Sequence, residues 1–356
     1  MTRRKIQLVG GSTYSVSLPK EWARTRGVEP GDEVGLHTHL DGVVVIDPRD
    51  GDAPDGVPQH VTLDADGCDA AQVRRLTRAS YSVGAERITI QSDSELSPTH
   101  RNAVEDATAG LTGMTVVDGS DAAITATVPL DPEEVSIGQS IRHFLFVAVS
   151  MHRDGTAAVF GETSPESVLE RIEEANRLHA LVDRHFRRSL SELDEIDALG
   201  ITRTELFRLW TASRELKRVA EHAERLAVTA RDLDAPPTGA LATDLREAAR
   251  AARDSVETAT PAVVDGGDAG PVCESIAAAD RARELVAGLD ARLFDGGTGD
   301  PRLTRATAAI ERTADSGTAI AETGLRQIVS QCDDSGVGAD ATDGQRGANG
   351  RSAGDQ

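Results

Sequence analysis

Basic side chains are concentrated at the start of the chain. The first 26 residues contain six Arg or Lys side chains and one acid, Glu21, so this segment carries a charge of +5. Guanidinium, ammonium and hydroxyl groups all donate hydrogen bonds to phosphate oxygens. We therefore predict that a nucleic acid, if one binds, contacts this end of the chain. The predicted donors are Arg3, Arg4, Lys5, Ser12, Thr13, Ser15, Lys20 and Arg24.

The rest of the chain is strongly acidic. The net charge of all 356 residues is −21, so the part after Arg26 carries −26. Only three of the 38 basic residues are lysine, and aromatic residues make up 3%. We interpret this composition as adaptation to molar salt, in which acidic surfaces stay hydrated.

The alternative interpretation of Arg3, Arg4 and Lys5 is an unstructured basic end.

Two pairs of charged residues in the C-terminal half have helical spacing. Glu311 and Asp315 are four residues apart, so a helix would place both carboxylates on one face, where they could bind a cation. Glu221 follows Lys217 at the same spacing. The alternative interpretation is a solvated face for the first pair and an ion pair across one helical turn for the second.

Short strands and one helix are predicted to position the N-terminal basic residues. A helix Pro19–Arg26 begins at a proline and ends at Gly27, as is usual for helix termini. Strands are predicted from alternating polar and apolar residues at Thr13–Leu18, Glu33–Leu36 and Val43–Ile46. So few short elements cannot bury enough apolar surface alone, so we predict that a second copy completes the core.

The same stretch resembles a known DNA-binding family. The run Leu18-Pro19-Lys20, followed by Gly27-Val28 and Pro30-Gly31-Asp32, is similar to the swapped-hairpin domain of the AbrB and SpoVT family. The family usually has Gly-Arg where this chain has Tyr14-Ser15. The resemblance implies that residues 1–50 form a β-barrel from two interleaved chains and bind DNA. A dimer would prefer an inverted-repeat site.

A small α/β module is predicted at residues 60–131. It follows a linker rich in Gly, Pro and Asp, Gly51–Gln59. The order β-α-β-α-β-β is predicted at Val61–Leu63, Ala70–Val83, Arg87–Gln91, Pro98–Leu111, Met114–Val117 and Ile124–Val128. The module contains no Gly-rich phosphate loop, so we interpret it as a spacer or a sensory adaptor.

Nearly all of the chain from Asp131 to Gln331 is predicted to be helical. Five breaks divide it into six helices, at Glu162–Pro165, Leu199–Thr202, Ala235–Gly239, Gly266–Pro271 and Gly296–Pro301. The third and sixth helices align, with Arg218 on Arg312 and Glu221 on Asp315. This indicates two tandem three-helix units, residues 133–232 and 239–331. The tail 333–356 has too few apolar residues to fold.

The helical units resemble PhoU, a phosphate-signalling protein built of two three-helix repeats. The second repeat keeps the family's motif as Glu311-Arg312-Thr313-Ala314-Asp315, and the first keeps part of it at Lys217 to Glu221. The resemblance covers about residues 133–331. It implies an all-α PhoU-like pair of three-helix bundles in which Glu311, Asp315 and Glu221 can bind metal ions such as iron or zinc.

Together the resemblances predict a multidomain, dimeric transcriptional regulator of phosphate uptake that binds DNA and senses through its helices. Two alternatives remain. One is a signalling adaptor that binds no DNA and docks on the ATPase of a phosphate transporter. The other is a metal-dependent enzyme acting on phosphate compounds. No nucleophile, base and phosphate loop converge in the sequence, so we predict no catalytic residue.

The sequence predicts neither membrane insertion nor disulfides. The longest apolar run, Phe144–Met151, is too short to span a membrane. Three cysteines without metal-ligand spacing, Cys68, Cys273 and Cys332, are predicted to be small reduced fillers in a cytoplasmic protein.

Overall fold

The computed structural model describes residues 3–48, 57–294 and 300–331. Most of the predicted linker Gly51–Gln59, most of the break at Gly296–Pro301, the tail 333–356 and Cys332 lie outside the described residues. No helix in the described ranges is long and apolar enough to cross a membrane.

Two separate hairpins and one helix form the N-terminal module, residues 3–48. The antiparallel hairpins join β1 (Gln7–Val9) to β2 (Thr13–Ser15) and β3 (Gly35–Thr38) to β4 (Val44–Asp47). Helix α1 (Lys20–Arg26) lies between the hairpins. Gly27 ends it in the left-handed conformation, with a φ of 71°, which glycine adopts without steric strain.

Strand β2 is shorter than the predicted strand Thr13–Leu18. Gln7, the first residue of β1, lies opposite Ser15, and the pairing of the two strands ends there. The alternation of polar and apolar residues continues to Leu18, but within one chain the hydrogen-bonded pairing of β1 and β2 does not. Tyr14, on the apolar side of this stretch, is 75% exposed.

The N-terminal module buries almost none of its apolar side chains. Its hairpins form two separate two-stranded sheets, so the described part of one chain closes no barrel. The large apolar side chains left exposed are Ile6, Leu8, Val9, Tyr14, Val16, Leu36, Leu40, Val43 and Val44. A second copy that completes the core, as predicted, would cover this apolar surface.

The α/β module has the predicted order of elements. Along the chain these are β5 (His60–Asp64), α2 (Ala70–Ser82), β6 (Arg87–Gln91), α3 (Pro98–Ala109), β7 (Thr115–Gly119) and β8 (Ala123–Thr127). The sheet order is β5-β6-β8-β7, and only β5 and β6 are parallel. Asp69 begins α2 with a capping box to Gln72. Ile88, Ile90 and Ile124 pack in the core of this module.

Eight helices occupy the described residues from 137 to 331. They are α4 (Ile137–Val159), α5 (Glu166–Leu169), α6 (Ile172–Arg188), α7 (Asp194–Ala198), α8 (Arg203–Asp232), α9 (Gly239–Asp265), α10 (Ala269–Phe294) and α11 (Leu303–Gln331). The predicted second helix is therefore three helices, α5 to α7. The turn after α6 returns the chain so that Glu195 reaches His185, with 2.6 Å between Oε1 and Nδ1, and both side chains are buried.

Helices α4, α6 and α8 pack against one another, and so do α9, α10 and α11. Contacts of α8 with α11 and of α4 with α9 join the two groups. Two glycines allow close crossings. A Cβ on Gly155 would lie 2.8 Å from the carbonyl oxygen of Ala223, and one on Gly317 would lie 2.8 Å from the Cβ of Ser255.

A buried arginine fastens the α/β module to helix α6. Arg184 is 2% exposed, and its Nη1 donates to the carbonyl oxygens of Tyr81 at 2.8 Å and Ala85 at 3.0 Å. Its guanidinium also lies 5.0 Å from the centre of the Tyr81 ring. Burial raises the pKa of Tyr81 to about 12, so the hydroxyl stays neutral.

Candidate functional site

The charged members of the predicted DNA-binding set share two properties. They are all exposed, and within the described ranges none has a carboxylate partner. We call this set the N-terminal cations: Arg3, Arg4, Lys5, Lys20 and Arg24. Arginines in the helical part are commonly paired across helices, as in Arg142–Asp265, Arg246–Glu162, Arg281–Glu247 and Arg292–Asp244. The N-terminal cations are therefore free to bind an anion.

Local structure groups the predicted DNA contacts into three places. Arg3, Arg4 and Lys5 precede β1. Lys20 and Arg24 are four residues apart on α1 and so lie on one face of that helix. The hydroxyl residues are in the β1–β2 hairpin, with Ser12 in its turn and Thr13 and Ser15 on β2.

Two histidines of the N-terminal module contact helix α7, which the sequence did not predict. His37 lies on β3 and His39 follows the last residue of that strand, and both side chains contact the same helix. The Nδ1 of His37 lies 2.8 Å from Asp194 Oδ1, and that of His39 lies 2.9 Å from Asp197 Oδ2. His39 is 5% exposed and is therefore not a surface residue. Asp197, the partner of His39, lies 158 residues further along the chain. The spacing of the two histidines was therefore the one feature of the sequence that indicated a shared contact.

An ion pair strengthens the same junction. Arg203, at the start of α8, donates from Nη1 to Asp41 at 2.8 Å. A hydrogen bond from the backbone N–H of Val43, together with Arg203, lowers the pKa of Asp41. The β3–β4 hairpin is thus attached to the helical part through His37, His39 and Asp41, and the backbone N–H of Leu40 also donates to Asp197.

A groove between α8 and α11 contains two of the three predicted metal ligands. Its volume is about 370 Å³, and Glu221 and Asp315 both line it, whereas Glu311 is not among its lining residues. Arg218 and Arg312 line it as well. The fold therefore brings the two aligned segments of the internal repeat together.

The carboxylates of this groove are occupied by cations of the protein itself. Glu221 lies 3.8 Å from the Nζ of Lys217, and Asp315 accepts from the Nε of Arg283 at 3.0 Å. In the described part of the chain, no three His, Cys, Asp or Glu side chains are grouped so that they could hold a metal ion. The residues present thus do not fit a metal site. Binding of iron or zinc stays a prediction.

A buried histidine lies at the floor of the groove. Burial, together with the positive charges of Arg225 and Arg312, lowers the pKa of His222 to about 4. The ring is therefore neutral at pH 7, and its Nδ1 lies 3.1 Å from the hydroxyl of Thr313. The neutral ring of His222 can form hydrogen bonds at this place but carries no positive charge.

The cysteines do not form a site. Cys68 is half-buried and Cys273 is exposed, so Cys273 does not fill space in a core. Cys273 lies on the outer surface of α10, where the helix needs no apolar side chain.

Comparisons with known proteins give two similarities. Residues 7–53 match the family model described as antidote-toxin recognition MazE, bacterial antitoxin. The crystal structure of PhoU from Pseudomonas aeruginosa is similar over 55% of this chain and 96% of that chain, with 16% identity and a TM-score of 0.48. The chain is similar to MazE at its N terminus and to PhoU in its helical part. The family match lies in the stretch for which the sequence predicted a DNA-binding domain. No curated protein matches the chain.

Proposed function

We propose that this chain is a DNA-binding transcriptional regulator of phosphate uptake. In this proposal the MazE-like N-terminal module binds DNA as a dimer, and the PhoU-like helices respond to phosphate status. The observation that carries the proposal is the exposure of the N-terminal cations without carboxylate partners: Lys20 and Arg24 lie within the segment that matches a MazE-type domain, and Arg3, Arg4 and Lys5 directly precede it. The phosphate role rests on the resemblance of the helices to PhoU.

The charge distribution makes DNA binding compatible with an acidic protein. The N-terminal module offers positive charge, while the −26 on the rest of the chain would repel a polyanion. At about 1 M salt the Debye length is ~3 Å, so this repulsion would be nearly abolished. Counterion release would then add little affinity. Direct hydrogen bonds from the N-terminal cations must supply most of it.

Dimerisation would supply both a core and a two-fold axis. The exposed apolar side chains of both hairpins, Leu8 and Leu36 among them, would be covered by a second copy. The cations of the two copies would then be related by the two-fold axis. An inverted repeat is the DNA site that matches this symmetry.

The junction at α7 offers a connection between DNA binding and sensing. His39 and Asp197 join β3 to α7, and Glu195 of α7 is bonded in turn to His185 of α6. A displacement of α6 would therefore be transmitted to the β3–β4 hairpin. Through that hairpin, the helices could change how the two DNA-binding modules are oriented.

Binding of the full chain to promoter DNA tests this function. We expect a shifted complex with promoter fragments from phosphate-transport genes, and no shift with coding fragments of equal length. Absence of any promoter complex would favour the adaptor, which would instead be retained by the purified ATPase of a phosphate transporter. Hydrolysis of phosphate esters in the presence of divalent metals would favour the enzyme alternative.

A metal assay separates the ligand and surface interpretations of the acidic pair. If Glu311 and Asp315 bind metal, the double change Glu311→Ala and Asp315→Ala should lower the iron or zinc content of purified protein. Glu221→Ala should have less effect, because Lys217 already pairs with it. Equal metal content in wild type and double variant would leave Glu311 and Asp315 as surface residues.

A further inference from the structure

A second cavity lies where the α/β module meets the helical part. It has a volume of about 200 Å³ and lies between α2, the end of α3, α6 and α8. Its lining includes five side chains that can donate hydrogen bonds, namely Arg78, Ser82, Asn176, His179 and Lys217. Ligand sites for larger organic molecules usually measure about 300–1,000 Å³, so this cavity suits a smaller ligand.

Lys217 is unusual for its position in the chain. It is the only lysine after Lys20, in a protein that otherwise uses arginine. Its Nζ lies 3.8 Å from the carboxylate of Glu221, too far for a short hydrogen bond. The ammonium group therefore keeps donors available to the cavity.

Arg78 supplies a second cation. Its Nη2 donates to Glu173 at 2.6 Å, but its Nε is buried and has no hydrogen-bond partner. A guanidinium has five N–H donors, so the pair with Glu173 leaves others for an anion in the cavity. Gly110 lies close by, and a Cβ added there would come within 3.3 Å of the Arg78 guanidinium.

The lining contains two cations, Arg78 and Lys217, beside a neutral histidine ring, and the acidic neighbours of these cations are Glu173 and Glu221. Burial lowers the pKa of His179 to about 4, and Lys217 and Arg214 contribute, while Asp183 alone opposes them. The Nδ1 of His179 lies 2.9 Å from the hydroxyl of Ser213, which leaves its Nε2 for a ligand.

The one carboxylate in the lining already has partners. Asp183 accepts from the Nε1 of Trp210 at 2.9 Å and from the Nε of Arg187 at 2.8 Å. It is therefore not free to attract a cation. Two cations and one carboxylate that already has partners make up the charged part of the lining, and this favours an anionic ligand.

We propose that this cavity binds a small tetrahedral oxyanion, either inorganic phosphate or the phosphate group of a small monoester. Lys217 and Arg78 would be the charged contacts, and Ser82, Asn176 and His179 the neutral ones. The inference deepens the sensing role proposed above and rests on it for the choice of phosphate among oxyanions. It does not involve DNA, so either idea can fail without the other.

Calorimetric titration of the full chain tests the site. Inorganic phosphate, glycerol 3-phosphate and sulfate would be titrated separately into wild type, Lys217→Met and Gly110→Ala. We expect saturable binding of phosphate or its ester and a loss of about tenfold or more in affinity for Lys217→Met, because one charge-assisted contact is removed. Binding of one phosphate compound alone identifies the source of the ligand.

A matched control is Arg326→Met, which also removes the cation of an i,i+4 pair, with Glu322, but lies on the exposed surface of α11. It should bind as wild type does. Gly110→Ala should weaken binding without removing a charge, because it presses on Arg78. No saturable binding to wild type, or equal affinity in wild type and Lys217→Met, would overturn the proposal. Sulfate binding as tight as phosphate binding would overturn the choice of phosphate.

Discussion

We expect two buried histidines and one half-buried histidine to lower the stability of this protein in acid. His152, His179 and His222 all have pKa values lowered first by burial and then by nearby cations, and the pKa falls to about 4 for the last two. An unfolded chain would protonate them near pH ~6.5. Between about pH 6.5 and 4 the unfolded state therefore binds more protons, and the stability falls as the pH falls.

We expect His222→Gln to reduce this pH dependence. The free energy of unfolding of the wild type should lose on the order of 3 kcal/mol through His222 between pH 6.5 and 4. The variant lacks that titration, so its curve should be flatter. Urea unfolding at several pH values measures the difference, with His143→Gln as the control at an exposed histidine. Identical slopes for wild type and His222→Gln would show that the ring titrates normally.

The close crossings between helices make a prediction at the level of elements. Gly317 of α11 lies against Ser255 of α9, where a Cβ would require one helix to move. We expect Gly317→Ala to destabilise by about 1–3 kcal/mol, because overpacking a tight crossing forces a backbone shift.

Gly288 provides a matched control for that change. It lies within α10, and a Cβ there would meet no atom within 4 Å. Gly288→Ala should therefore stabilise by about 0.5–1 kcal/mol, the gain expected from replacing glycine in a helix. Thermal unfolding of both variants tests the pair. A stabilised Gly317→Ala would mean that α9 and α11 are not packed so closely.

The sequence predicted elements well where local signals were strong. The predicted bounds of α2, β6 and α3 lie within a few residues of those observed. In the structure these elements have local determinants, since Asp69 and Ser97 cap the two helices and Ile88 and Ile90 alternate with polar residues on the strand. The split of the second predicted helix into α5, α6 and α7 was missed. This split depends on the chain turning back after α6 so that Glu195 contacts His185. The periodicity of apolar residues along a helix does not indicate such a contact.

The candidate functional sites were also predicted in some cases and missed in others. The N-terminal cations could be identified from composition and order, because they are close in sequence. The contacts of His37 and His39 with α7, and the cavity shared by Arg78 and Lys217, could not. Each joins residues more than a hundred positions apart, and one sequence contains no signal for such pairings.

At the scale of the whole molecule, assembly depends on the exposed apolar residues of the N-terminal module. We expect the full chain to sediment as a dimer at micromolar concentration and Leu36→Asp to shift it toward monomer, since a charge would be buried between copies. Val329→Asp, at an exposed apolar residue of α11, is the control and should leave the dimer intact. A monomeric wild type would refute a shared N-terminal core.

The central claim is that the N-terminal cations bind DNA, and one measurement tests it most directly. Duplexes selected from a random library by the wild-type chain would be titrated at high salt with wild type, Arg4→Ala, Lys20→Ala and Arg231→Ala, and binding followed by fluorescence anisotropy. Arg231 is the control because it is an exposed arginine that already pairs, with Glu166.

We predict selection of an inverted repeat and a loss of about tenfold or more in affinity for Arg4→Ala or Lys20→Ala, since each removes a charge-assisted contact to phosphate. Arg231→Ala should bind as wild type does. If both N-terminal variants bind the selected duplex as tightly as wild type, DNA is not bound by this face of the module, and the account is contradicted.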